Sequence, residues 1–387
     1  MAEWIHTELG CLFDVKAGGD LQEEYYSPCM TVCAKWPVYA NSLGNRGLYG
    51  YTSKPRYKGN AVTITGRGEI GHAEYRKEDF DAIVRLLVLQ PIAEVDCRYI
   101  TYYINSNIHF PIESTGVPQL TVPKVKRVKV YLPKEMSEQT AIANILSKVD
   151  EAIAAIQNSI DFAERLKKSL MQNLLTGKMK PDGTFRTPEE FYVDEKFGEV
   201  PIGWEIKKLG RIFDIKAGGD LQEKFFSPIK DEKHPYPIYS NSFENKGLYG
   251  YTSNPRFVAK ESITITGRGE VGHPEYRQGD YDAIIRLMSL IPKKEQKVDC
   301  RFVCYYIDNF VHFAIESTGV PQLTCPKVYS TKIVIPTDVE VQSLIGRNIF
   351  KLDTIIEAKR SRIATLERLK KSLMQNLLTG KVRINNN

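Results

Sequence analysis

Two long stretches of the chain carry apolar residues at steps of three and four. The first follows Pro133 and runs through Ile142, Ile145, Val149, Ile153, Ile156, Ile160, Ala163, Leu166, Leu170 and Leu174. The second follows Pro336 and runs through Ile345, Ile349, Leu352, Ile356, Ile363, Leu366, Leu369, Leu373 and Leu377. This spacing predicts two helices of roughly 35–40 residues, about 55 Å long at 1.5 Å per residue. One small domain cannot bury such a stripe, so the two helices are expected to pair antiparallel as a coiled coil. Thr337 with Glu340 fits a capping box at the start of the second helix. Gly177 and Gly380 stand where C-terminal glycine caps belong. Ahead of each helix the pattern changes to short β-branched runs (AVTITG, SITITG, VKVYLP, KIVIP) punctuated by Gly, Pro and Tyr, which predicts strands and turns. DAIVRLLVL (Asp81–Leu89) and DAIIRLMSL (Asp282–Leu290) read as buried strands, although apolar runs this short are also compatible with helix.

The chain is written twice. KAGGDLQE at Lys16–Glu23 returns at Lys216–Glu223, and GLYGYTS at Gly47–Ser53 returns at Gly247–Ser253. TITGRGE, IESTGVPQLT and LKKSLMQNLLTGK recur in the same order. A repeat of this length exceeds the roughly 20–50 residues of solenoid units and implies two similar domains in one chain. The predicted fold class is α+β: two mostly-β globular domains, 1–135 and 199–338, separated by two antiparallel coiled-coil helices with pseudo-two-fold symmetry. The helical spacers span 136–180 and 339–380, and the Pro- and Gly-containing segment 181–198 reads as a linker.

Composition narrows the class. With 42% hydrophobic and 26% charged residues this is a globular chain. No apolar run approaches the ~18–20 residues that span a bilayer. The start, MAEWIHTELGCLF, lacks the basic and apolar pattern of a signal peptide, so a cytoplasmic location is expected. Of the seven cysteines only Cys97 and Cys300 match between copies, which argues against a disulfide framework. Cys29/Cys33 and Cys300/Cys304 each lack the second pair of a zinc site, and no metal is expected. The net charge of +6 is concentrated in 339–387, with 10 basic and 4 acidic groups, whereas 1–135 carries 16 and 15 and 199–338 carries 19 and 18. Any DNA surface on the globular domains must therefore come from clustering of cations.

Candidate chemistry sits on repeated loops. GRGEIG (Gly66–Gly71) and GRGEVG (Gly267–Gly272) match a dinucleotide fingerprint in form, but Pro274 argues against the helix that such a site requires. Two readings stay open: a plain turn between strands, or a turn carrying Arg67 and Arg268 to a groove, where arginine pairs with guanine. Asn41, Ser42, Arg46 and Tyr49, with Asn241, Ser242, Lys246 and Tyr249, combine amides, hydroxyls, cations and rings suited to base edges and phosphates; supporting a turn is the alternative. Lys16 and Lys216 flank a glycine pair that permits close backbone approach. Lys124, Lys126, Arg127 and Lys129 fall together in VPKVKRVKVYLP, but only Lys327 and Lys332 remain in the second copy, so a solvated strand face is the preferred reading. His72 with Glu69, and His273 with Glu270, could be drawn as acid–base pairs, but such neighbours are common on polar loops. No GxxxxGK[ST] phosphate loop and no NPPY- or DPPY-type methyltransferase motif occurs.

Several tags taken together resemble the DNA-specificity subunits (HsdS) of Type I restriction–modification systems. They are STGVPQLTVPKV and STGVPQLTCPKV, EQTAIANIL, the two LKKSLMQNLLTGK tails and VPIGWEIKKLG; the first copy opens at EWIHTELG without the VPxGW-type lead. The resemblance implies two target-recognition domains, each reading half of an interrupted site in double-stranded DNA. It implies that the helices fix the spacing and hold two modification (methyltransferase) subunits, which bind S-adenosylmethionine and methylate adenine. Restriction subunits, ATP-dependent translocase–endonucleases that use ATP and Mg, join later, and the chain itself is no enzyme and carries no cofactor. Because the copies share their contact loops, a bipartite, near-palindromic site is expected. A duplicated enzyme and a coiled-coil scaffold that binds no nucleic acid are the competing classes.

Overall fold

The computed structural model describes residues 3–110, 118–313 and 322–384, so most of the repeated IESTGVPQLT tag lies outside the described residues. The chain divides into two compact units, Met1–Asn158 with Arg360–Asn387, and Ser159–Lys359. In the first unit the strands are β1 (Trp4–Glu8), β2 (Phe13–Ala17), β3 (Tyr26–Ser27), β4 (Trp36–Tyr39), β5 (Leu48–Thr52), β6 (Ala61–Ile64), β7 (Ala73–Arg76), β8 (Asp81–Ala82), β9 (Leu87–Pro91) and β10 (Lys129–Pro133). The helices are α1 (Leu9–Leu12), α2 (Cys97–Asn107), α3 (Val122–Lys126) and the 39-residue α4 (Met136–Leu174). One antiparallel sheet has the order β2-β9-β6-β7; the other, β3-β5-β4-β8, contains a parallel β4–β8 pair. β1 pairs with β10. The second unit repeats both sheet orders and the terminal pair, Trp204–Lys208 with Lys332–Pro336.

β9 explains why its sequence lacks alternation. Leu87 and Leu89 face one apolar cluster, with Val62, Ile64, Tyr99 and Ile104, while Val88 faces another, with Ala61, Phe80 and Leu86. A strand buried on both faces reads as a continuous apolar run. The expected single strand over 81–89 is nevertheless two. Val84 and Arg85 take φ of +53° and +59°, which breaks the ladder between β8 and β9, and Ile285 and Arg286 do the same. The basic VPKVKRVKVYLP run is likewise divided between α3 and β10, so it is not one strand face.

The long helices are embedded at both ends. Gln139 on α4 accepts from the Asp96 amide at 3.0 Å and donates to Pro133 O at 2.8 Å, tying the starts of α2 and α4 to the end of β10. Gln342 makes the same bracket with Asp299 and Pro336. In the first unit Ile142, Ala143 and Leu146 of α4 share a core with Leu377 and Leu378 from the end of the second long helix, Val339–Leu377. In the second unit Ile345 and Ile349 share a core with Met171, Leu174 and Leu175. Ion pairs Asp150–Lys370 (2.6 Å) and Glu138–Arg383 (2.7 Å) in one unit, and Lys167–Asp353 (2.5 Å) in the other, fix an antiparallel register. The buried positions include Ala143, Leu146 and Met171, whereas Ile145, Leu166 and Leu369 of the expected stripe are exposed. A straight helix drifts from a strict heptad, so the seam moves around it.

Each helix ends at a glycine in the left-handed region, Gly177 (φ +69°) and Gly380 (φ +72°). A Cβ on Gly177 would come within 2.4 Å of Pro201 and 3.0 Å of the Trp204 ring, so the glycine also makes room for the tryptophan. The cap of the second helix is shifted by one residue from the expected capping box. Asp338 accepts from the Glu340 amide at 2.8 Å, and Thr337 donates instead to Gly203 O at 2.8 Å.

The 181–198 segment is more ordered than a linker. A hairpin, Phe191–Asp194 with Gly198–Pro201, is closed by Asp194, which accepts from the Lys196 and Phe197 amides at 2.8 and 3.0 Å. Phe197 packs against the second unit's core and Val200 is buried in it. Among the described residues no helix is long and apolar enough to cross a membrane, and no group of three or more His, Cys, Asp or Glu could hold a metal ion.

Leu378 has no exposed surface. Leu378→Ala is expected to lower the unfolding free energy of the first unit by about 2–5 kcal/mol, measured by urea titration of the full chain with tryptophan fluorescence. A loss below about 0.5 kcal/mol would show that the helix end is not part of that core.

Candidate nucleic-acid interface

β6 leaves the sheet into Thr65–His72 and returns as β7. Thr65 donates its hydroxyl to Glu69 O and accepts from the His72 amide at 3.0 Å. Gly68 and Gly71 take φ of +68° and +93°, so the motif is a glycine turn between strands, with no helix opening from it. Three other segments converge on its first glycine. The Gly66 amide donates to Asn41 Oδ1 at 2.8 Å, and the Leu120 amide donates to Gly66 O at 2.8 Å. A Cβ on Gly66 would lie 3.1 Å from Arg85 O. Asn41 Nδ2 also donates to Arg67 O at 3.1 Å, and the Arg67 guanidinium donates to Gln119 Oε1 at 3.0 Å. The second unit repeats the arrangement with one difference: Asn241 accepts from Gly267 N at 2.8 Å but donates to Ile285 O, and Arg268 donates to Gln322 Oε1 at 3.2 Å.

This geometry assigns each candidate a position. Asn41, Ser42 and Arg67 meet in one cleft with Thr65 and Glu69. The asparagine amide is occupied at both ends by backbone, so Asn41 and Asn241 serve as struts of the turn. Arg67 and Arg268 are held by a glutamine at the surface, and Ser42 and Ser242 are exposed beside them. Arg46 has φ of +53° and its guanidinium is taken up by Glu74 at 2.8 Å. Lys246 has the same backbone conformation. Tyr49 and Tyr249 pack on Tyr26 (ring centroids 5.6 Å apart) and Phe226 (5.8 Å). Lys16 is ion-paired with Asp14 at 2.9 Å on β2, while Lys216 is exposed on the matching strand. None of the hydrogen bonds among the described residues joins Lys16, Tyr49 or their counterparts to the Gly66 cluster.

The glycine pair of KAGGD approaches its own chain. A Cβ on Gly18 would come within 2.7 Å of Ala82 O. Under the Asn41–Tyr49 loop lies Arg76, buried, donating to Thr63 Oγ1 at 2.9 Å with its guanidinium 3.5 Å from the Tyr39 ring centroid. Arg277 occupies the same place and donates to Lys246 O at 2.8 Å. Burial lowers the pKa of both guanidinium groups. Two features escaped the sequence reading: the buried arginine beneath the loop, and the Val84–Arg85 turn beside Gly66.

The histidines pair two positions along their strands, with Glu74 and Glu275, and not with Glu69 and Glu270. Burial disfavours the Glu74 carboxylate, but His72 and Arg46 overcome this and hold its pKa below the usual range. In the second unit Lys246 stands for Arg46 and Asp308 for Asn105. His273 therefore lies between Asp308 (3.6 Å) and Glu275 (3.4 Å), and those carboxylates, Asp308 first, raise its pKa to about 9 against partial burial.

Glycine turns that each carry an arginine, built twice on the same sheet scaffold and coupled to long helices, define a protein of two similar units. The chain belongs to the type I restriction modification DNA specificity domain family, whose model matches residues 1–165 and 201–368. It is 29% identical over 327 residues to a Methanocaldococcus jannaschii protein provisionally named as the specificity subunit of the MjaX type I restriction enzyme, covering 78% of this chain and 72% of that one. It is 25% identical over 330 residues to a protein provisionally named as a type I specificity subunit of Mycoplasma pneumoniae, covering 84% and 82%. The crystal structure of a type I restriction–modification S subunit from M. genitalium superposes with a TM-score of 0.71 at 18% identity, over 97% of this chain and 96% of that one, and shows the same fold.

Asn41→Ala removes both struts of the Gly66 turn and is expected to cost about 1–3 kcal/mol of stability, whereas Ser42→Ala changes it by less than about 0.5 kcal/mol. Urea unfolding of the full chain separates the two, and equal effects would show that the amide is not a strut. His273 gains its stabilising partners only in the folded state. Its contribution is full below the unfolded value of 6.5 and is lost as pH rises through about 9. His273→Gln is expected to flatten the decline of the thermal midpoint over that window, and an unchanged slope would exclude the pairing.

Proposed function

We propose that this specificity subunit reads a bipartite, near-palindromic site in double-stranded DNA and positions catalytic partners on it. The carrying observation is that the Gly66 cluster and the Gly267 cluster share their asparagine–glycine, leucine–glycine and arginine–glutamine contacts, and differ only in the carbonyl that takes the asparagine amide. Two readers of one construction recognise the same short sequence, and one reader on each half-site gives an inverted repeat. Arg67, half-buried, and Arg268, exposed, stand at turn tips and suit base edges or phosphates. Asymmetry enters at Leu43–Gly44 against Phe243–Glu244, and at Arg46 against Lys246. Arginine there binds Glu74 in a way lysine does not reproduce at Glu275, so the two loops present different charges.

The long helices set the spacing between half-sites and offer the docking surface for two modification subunits. Those subunits bind S-adenosylmethionine and transfer the methyl group to adenine, and restriction subunits with ATP and Mg join the assembly. The chain performs no chemistry in this reading. Near-neutral globular domains support a division of labour in which partner subunits supply much of the DNA affinity.

Methylome sequencing of cells carrying this chain with its modification subunits is expected to return two similar inverted half-sequences around an unread spacer. Two unrelated half-sequences would overturn the palindromic reading. Methyl transfer by the purified chain alone would overturn its non-catalytic role.

A further inference from the structure

Beside each Gly66-type cluster stands a second turn that neither the family nor the candidate readers explain. Between β8 and β9, Ile83 and Leu86 are buried, while Val84 between them is 56% exposed and Arg85 is exposed. The second unit repeats this with Ile284 and Leu287 buried, Ile285 56% exposed and Arg286 exposed. Both tip residues have positive φ, +53° and +59°, in both copies. A β-branched residue in that region is a genuine outlier, and glycine or asparagine would make the same turn with less strain.

The surrounding structure enforces the conformation. The Gly18 amide donates to Leu86 O at 2.7 Å and the Val84 amide to Gly19 O at 3.2 Å. Arg56 pairs with the buried Asp81 at 2.5 Å and reaches Ala82 O at 3.2 Å. Arg256 and Asp282 repeat that clamp. On the other side, Asn241 donates to Ile285 O, and Gly66 admits Arg85 O at close range. An exposed branched aliphatic side chain and an arginine are thus held rigidly together, next to Arg67 or Arg268, once in each unit.

We infer that the Val84–Arg85 and Ile285–Arg286 tips are DNA wedges, one per half-site. The valine or isoleucine presses between two base pairs, and the adjoining arginine lies in the groove from which it enters. Apolar wedges flanked by arginine are the chemistry that unstacks a base step and kinks a duplex. The inference rests on the DNA-reading function proposed above.

The test uses the full chain assembled with its modification subunits. The probe is the duplex whose sequence the methylome defines, with 2-aminopurine placed at successive positions of each half-site. The wild-type complex is expected to raise fluorescence at one step in each half-site. Val84→Gly should abolish the signal in one half-site and Ile285→Gly in the other, with about tenfold weaker binding, or about 1.4 kcal/mol. The thermal midpoint should stay level or rise, because glycine and, in Val84→Asn, asparagine accept positive φ. Unchanged signal and affinity in the glycine variants would overturn the wedge alone. Loss of modification subunits from the variant complexes on gel filtration would overturn it in favour of a protein-docking role. No duplex binding by the wild type would overturn the DNA-reading function, and the wedge with it.

Discussion

Each unit's hydrophobic core is completed by a helix end that chain order assigns to the other copy. Leu377 and Leu378 close the core around Leu9, Phe13 and Tyr99, and Leu174 and Leu175 close the core around Phe213, Phe302 and Ile333. Burying one leucine is worth roughly 1.5–3 kcal/mol, so neither globular part reaches its full stability alone. This exchange also anchors the long helices at both ends, where Gln139 and Gln342 fix their departure by hydrogen bonds to backbone. The spacing role proposed for the helices needs that rigidity, because a frayed helix end would loosen the placement of whatever it carries.

The candidate recognition surface follows the same logic at smaller scale. Backbone segments far apart in sequence meet at Gly66 and at Gly267, where any side chain would crowd them. The asparagines are used to hold the meeting point and the buried arginines to hold the loop above it. What remains free is narrower than composition suggested: the Arg67 and Arg268 turns, Ser42 and Ser242, and the strained aliphatic–arginine tips. Differences between the copies collect around Glu74 and Glu275, where replacing Arg46 by Lys246 and Asn105 by Asp308 leaves one carboxylate shared with an arginine and the other with a charged histidine.

Much of this architecture was legible in residue pattern alone. The three-and-four spacing located both long helices, the glycines marked their ends, and the repeated tags disclosed two copies and their family. The reading failed where tertiary contacts override local preference. Pro and Gly between 181 and 198 suggested a linker, but Asp194 and Gly198 close a hairpin whose Val200 is buried. DAIVRLLVL suggested one strand because nothing local announces a left-handed valine. Asn41 looked like a reader because its chemistry suits adenine, and only the position of Gly66 shows that its amide is already spent.

The sequence by itself determined the duplication, the helix lengths, the strand-rich character of each copy and the residue types available for binding. Those properties follow from periodicity and from the chemistry of single side chains, which are local. The tertiary structure decided which helix end completes which core, which amides are struts, and which side chains are forced outward. These depend on contacts between residues tens to hundreds of positions apart, such as Arg56 with Asp81 and Glu138 with Arg383, which no local pattern encodes.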